Sequence, residues 1–155
     1  MRTLIIAICL FICYQGYTQS ETTKKYSKRY EGAFTLFFYN NTLKMLNQEN
    51  NAEFEALIRD IDKMKFMRIN KKENKISDSD YKVMEADYLK EKFEEMMTMR
   101  HEGMNVKVLI QEDDGITTGL VLLMNDPESL SILDIKGAVP LNQLANLISK
   151  VQNIN

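Results

Sequence analysis

The chain has 155 residues, 20 Lys and Arg against 22 Asp and Glu, and a hydrophobic share of 45%, a composition that excludes a disordered or collagen-like chain. Its formal net charge of -2, with acidic and basic residues interspersed, offers no field for a phosphate backbone, so nucleic acid is excluded as the partner class. One His and two Cys leave most metal centres and most thiol or imidazole chemistry short of ligands.

Arg2 precedes an unbroken apolar run from Leu4 to Cys13, after which Tyr14 to Ser20 turns small and polar. These are the three regions of a signal peptide, and ten apolar residues fall well short of the ~20 that span a bilayer as a helix. Small Gly16 and Thr18 place cleavage between Thr18 and Gln19, so residues 1–18 are read as the signal peptide and 19–155 as one domain without a transmembrane anchor. The protein is expected in the periplasm or outside the cell. Lipidation at Cys13 is disfavoured because bulky Ile12 precedes it. Both cysteines, Cys9 and Cys13, lie in the leader, so the exported domain has no disulfide and depends on its core.

Residues 19–32 are polar apart from Tyr26 and Tyr30, and are read as loosely ordered or as a short docking helix. Ala33 to Tyr39 is an aromatic strand stopped by Asn40 and Asn41, and an aggregation hazard if left exposed. Phe54, Leu57, Ile58, Ile61 and Met64 fall on one face of a helix. Lys65 to Asn70 is then a short strand and Lys71 to Lys75 a charged loop. The pattern predicts a second helix from Asp78 or Asp80 to about His101, with Tyr81, Met84, Tyr88, Phe93, Met96 and Met97 inward, Gly103 as its stop and a kink near Leu89. Val106 to Gln111, Ile116 to Met124 and Leu130 to Ile135 form a meander turned at Asp113-Asp114-Gly115 and Asn125-Asp126-Pro127. A last helix starts at Pro140 and carries Leu141, Leu144, Ala145, Ile148 and Val151. The order β-α-β-α-β-β-β-α predicts an α+β two-layer sandwich, a mainly antiparallel sheet of about five strands with helices packed on one face.

The leader, the Tyr-bearing segment before Gly32, the apolar Phe34 to Tyr39 running into Thr42-Leu43-Lys44-Met45-Leu46, and the meander ending at Leu133-Asp134-Ile135-Lys136-Gly137 together resemble the domain of unknown function 4252 family. The likeness spans roughly Tyr26 to Val151 and rests on apolar patterns and turn glycines. It implies a small envelope protein, often a lipoprotein, of bacteria of the Bacteroidetes type, and it carries no catalytic residues across.

No nucleophile elbow, HExxH, P-loop or EF-hand spacing is present, so no catalytic or cofactor residues are assigned and an enzyme is not expected. The sharpest local feature is Met96 to Met104, which gathers four methionines and the single His. On a helix, Met97, His101 and Met104 share a face with donors that suit Cu(I); plastic core packing by methionine is the competing reading and is preferred, so no metal is assigned. The expected function is a non-catalytic exported envelope module that binds a protein partner, through a sheet face bearing Thr35, Phe37, Lys107 and Thr117 or through a Met-lined groove. A small-ligand or Cu(I) carrier is the alternative. The oligomeric state is not fixed by these patterns.

Overall fold

The computed structural model describes residues 19–48 and 50–138. The leader, the scissile Thr18 and the helix expected from Pro140 lie outside those residues. Five helices and six strands follow in the order α1 (Glu21–Arg29), β1 (Phe34–Tyr39), α2 (Asn40–Met45), α3 (Ala52–Ile58), β2 (Ile61–Asn70), α4 (Lys71–Asn74), α5 (Asp78–Lys90), β3 (Glu94–His101), β4 (Met104–Asp113), β5 (Ile116–Asn125) and β6 (Ser129–Gly137). The strands form one open antiparallel sheet in the order β1-β2-β6-β5-β4-β3. The α+β antiparallel sandwich expected from the sequence is therefore the fold, with six strands where about five were expected.

The alternation of side chains along the central strands sorts the core into two halves. Leu120, Leu122, Leu133 and Ile135 point to one face, which α2 and α3 reach with Leu43, Leu57 and Ile58. Val121, Leu123, Leu130 and Ile132 point to the other, where α1 and α5 add Tyr26, Tyr30, Tyr81, Met84 and Tyr88. The helices thus divide between both faces instead of sharing one, because β5 and β6 are apolar on both sides and each side needs cover.

Two helical expectations are corrected. The stripe starting at Phe54 stops at Ile58, and Ile61 and Met64 belong to β2, which pairs with β1 and β6. The helix expected to reach His101 ends at Lys90: Lys92 takes a φ of 65°, and the chain re-emerges as β3. Phe93 is buried as expected, whereas Met96 and Met97 stand exposed on an edge strand. Gly103 is no helix stop. With Glu102 it forms a tight hairpin turn, both residues at positive φ, and Asp114-Gly115 does the same between β4 and β5. The Lys71 to Lys75 loop contains a single helical turn.

Within residues 19–32, Glu21–Arg29 form a short helix, the alternative that the Tyr26 and Tyr30 spacing offered. Ser20 caps α1, Tyr26 is 1% exposed, and the Tyr26 and Tyr30 rings stack 6.2 Å apart. Helix α5 opens on a reciprocal cap in which Ser77 receives the Asp80 N–H while the Asp80 carboxylate receives the Ser77 N–H at 2.9 Å. Removing the hydroxyl in Ser77→Ala is expected to lower stability by about 1 kcal/mol in urea unfolding. The Ser77 hydrogen bonds also hold the Asp80 carboxyl below its ordinary range. Its contribution is present above the unfolded carboxyl pKa of about 4 and fades as pH falls through the lower folded value, so the gap between variant and parent should narrow in acid.

Candidate functional site

An open sheet has two edges, and here they differ in kind. At β3 the edge is guarded: Glu94, Glu95 and Arg100 are charged, and the register shifts between Glu95 and Met97. The Thr98 hydroxyl and Lys107 both engage Glu95, at 2.6 and 3.0 Å, and Lys107 also pairs with Glu85 of α5. Charges and bulges of this kind keep an edge from adding another strand.

Among the described residues the β1 edge has none of these guards. Phe34-Thr35-Leu36-Phe37-Phe38-Tyr39 contains no charge and no proline, and its pairing with β2 runs without a bulge. Leu36 and Phe38 turn into the core half below α2 and α3, while Phe34, Phe37 and Tyr39 remain 54, 40 and 60% exposed. Phe37 and Tyr39 meet edge to face with centroids 4.7 Å apart, so they present one preformed aromatic surface. The β2 residues opposite β1 include Lys63, Lys65 and Arg68 and no acid. Lys65 donates to the Ser27 hydroxyl at 2.7 Å, and burial pulls its ammonium below the ordinary lysine range. The edge is therefore an uncharged aromatic strand backed by cations.

Of the residues singled out for a sheet-face surface, Thr35 and Phe37 lie on this edge. Lys107 is engaged between Glu85 and Glu95, and Thr117 lies at the far end of β5. The Met97, His101, Met104 set is not assembled as its helical spacing implied. His101 pairs with Met104 across the β3–β4 turn, but Met97 lies opposite Val108, about 13 Å along an extended strand from residue 101. Among the described residues no group of three or more His, Cys, Asp and Glu side chains is arranged to hold a metal ion.

Among the described residues, hollows flank the sheet. One of about 690 Å³ opens beside Asp60, Asp62, Glu112, Asp113, Lys92 and Lys136; another of about 310 Å³ lies beside Phe34, Arg68 and Glu73. Both are open and charged, unlike the dry space between sheet and helices that an apolar ligand needs. A third polar feature escaped the sequence reading: Asp134, in the middle of β6, is 2% exposed and takes hydrogen bonds from Ser20. One signal for it was available, a lone acid inside the apolar run Leu130 to Ile135.

No helix among the described residues is long and apolar enough to cross a membrane. A family model described as Domain of unknown function (DUF4252) matches residues 30–147. No curated protein and no solved structure matches the chain.

Proposed function

The chain belongs to the domain of unknown function 4252 family, and from that premise we propose that it is an exported, non-catalytic binding module of the bacterial envelope that receives a protein partner along β1. The observation that carries this reading is the contrast between the two edges of one sheet, β3 guarded by charge and bulge and β1 left bare. An unpaired edge offers a row of backbone donors and acceptors, and a partner that lies along it gains main-chain hydrogen bonds with its side chains alternating between the two faces.

The chemistry of the strand selects its occupant. The exposed Phe37 and Tyr39 rings give up water most readily to apolar side chains, so the docking segment is extended and apolar against them. Lys63, Lys65 and Arg68 behind the edge favour acidic residues elsewhere in that segment. Export is supported by the leader, with its basic Arg2, apolar Leu4 to Cys13 and small polar cleavage region.

The test is a crosslinking capture from the native envelope with three baits: the parent protein, Phe37→Lys and Met97→Lys. Saturable capture that survives Met97→Lys, disappears with Phe37→Lys and weakens with added salt supports the reading. Capture that Phe37→Lys leaves intact, or no saturable capture by the parent, overturns it. Mass spectrometry of the same preparation reads the export step, since a chain retaining Met1 contradicts it.

A further inference from the structure

Asp134 poses a problem that the binding reading does not touch. Its carboxylate lies under the start of α1, where Oδ2 accepts from the Ser20 hydroxyl at 2.7 Å and the Ser20 N–H at 3.3 Å. The Ser20 hydroxyl, the Thr23 hydroxyl and the Tyr88 phenol continue as a chain with links of 2.7 Å. Glu91, at the end of α5, places a second carboxylate there and accepts from the Glu21 and Thr22 N–H groups. A buried carboxylate is expensive unless a cation meets it. Among the described residues the nearby cation is Lys65, opposite Asp134 in the β2–β6 register; it feels the Asp134 charge, but its ammonium donates to Ser27 and makes no ion pair with Asp134. Asp134 makes no ion pair among the described residues.

Next to this carboxylate stands the residue at which the mature chain is expected to begin. Gln19 is 7% exposed, and its side-chain Nε2 has no hydrogen-bond partner. Successive backbone nitrogens are separated by less than about 3.7 Å, so the Gln19 nitrogen lies within about 7 Å of the Asp134 carboxylate. While the bond to Thr18 is intact that nitrogen is an amide. Cleavage makes it an ammonium on a freely turning terminus.

We infer that the α-ammonium group released when the Thr18–Gln19 bond is cut docks against the Asp134 carboxylate, so that Asp134 and Glu91 form a receptor for the chain's own mature N-terminus. The inference rests on the export reading, because it needs that bond to be cut. It gives the buried carboxylate an ion-pair partner, and it strengthens after processing the hold on the sheet that α1 already has through Tyr26 and Tyr30. The α1 dipole opposes an ammonium at this end, but two carboxylates outweigh a half charge.

The sign of the pH dependence follows from the groups that face Asp134: Ser20 and Thr23 on α1, Tyr88 and Glu91 on α5, and Lys65 on β2. In the unprocessed chain burial, with Glu91 adding to it, pushes the Asp134 carboxyl above its ordinary range despite the Ser20 and Thr23 hydrogen bonds, so its ionisation opposes folding at neutral pH. In the processed chain, an ammonium docked on Asp134 would be held above the unfolded amine value of about 8. Its stabilisation is full below that value and is lost as pH rises through the folded one.

The experiment compares the domain starting at Gln19 with the same domain carrying two extra residues, Gly-Ser, each with and without Asp134→Asn. At pH 6.5 the Gln19 form should have a folded-to-unfolded ratio roughly tenfold above the extended form. Asp134→Asn should lower the stability of the Gln19 form and leave the extended form equal or more stable. Equal stability of the two starting forms, or an effect of the extension that survives Asp134→Asn, overturns the inference. A measurement on unsubstituted protein guards against a variant that fails to fold: the Gln19 amine should acylate more slowly in the folded than in the unfolded domain at pH 7, and equal rates overturn the inference. The mass of the protein from the envelope separates this failure from that of the export reading. A start at another residue removes the cleavage, whereas a start at Gln19 with a mass lowered by ammonia loss shows the amine consumed in a ring, and either result overturns the proposed docking.

Discussion

Gly137→Ala is expected to abolish most of the stability of the domain. The residue ends β6 at a φ of 121°, a conformation that side chains rarely adopt, and it pairs with Ile61 where β2 begins. A Cβ there would overlap the Asp60 carbonyl oxygen and lie within 2.9 Å of the Asp62 nitrogen and 3.0 Å of the Ile61 Cα. All three are backbone atoms held in place, since the Ala138 N–H donates to that same carbonyl at 2.9 Å. Neither rotation of a side chain nor a small shift relieves the clash. Strain and overlap together are expected to cost about 4 kcal/mol or more, a large part of the 5–15 kcal/mol that holds an ordinary domain. Urea unfolding checks it: a strongly lowered midpoint or insoluble protein is expected, and a change under about 1 kcal/mol would show that the β2–β6 junction is looser than described.

Leu122→Ala should be nearly as damaging, for the opposite reason, a void instead of a clash. Strand β5 lies between β4 and β6, and Leu122 faces Val108 on one side and Leu133 on the other, all three fully buried. Truncation removes apolar contacts from a place where strands on both sides prevent collapse, so a loss of about 2–5 kcal/mol is expected in thermal or urea unfolding. Phe37→Lys on the β1 edge should cost less, about 1–2 kcal/mol, because the side chain is 40% exposed and the change removes only its contact with Tyr39 while setting a second cation opposite Lys65. The contrast separates a residue that holds the fold from one that serves its surface.

The meander was legible because each of its signals was local. Asp114-Gly115 takes two positive φ values, and the continuous apolar run Leu120 to Met124 was matched by burial on both faces. Tyr26 and Tyr30 were legible as one stripe from their spacing alone, but what anchors it was not, since Asp134 lies 114 residues from Ser20. Strand β3 was hidden because Glu94-Glu95-Met96-Met97 prefers a helix in isolation, and its pairing with β4 overrides that preference. Met97 and His101 therefore traded the one-face spacing of a helix for that of an extended strand, which separated the copper candidates. Ile61 and Met64 matched a helical face by chance of spacing, although both are equally at home in a strand. The uncharged β1 strand was visible from its residues, but its place at an edge depends on the order in which distant strands pair.

The most direct measurement of the central claim is amide hydrogen exchange on the domain, alone and bound to the captured partner. Binding along β1 predicts new protection at alternate amides between Phe34 and Tyr39, those facing away from β2, with β3 unchanged. Protection that appears along β3 or on the outer face of α5 while β1 exchanges as before would contradict the account.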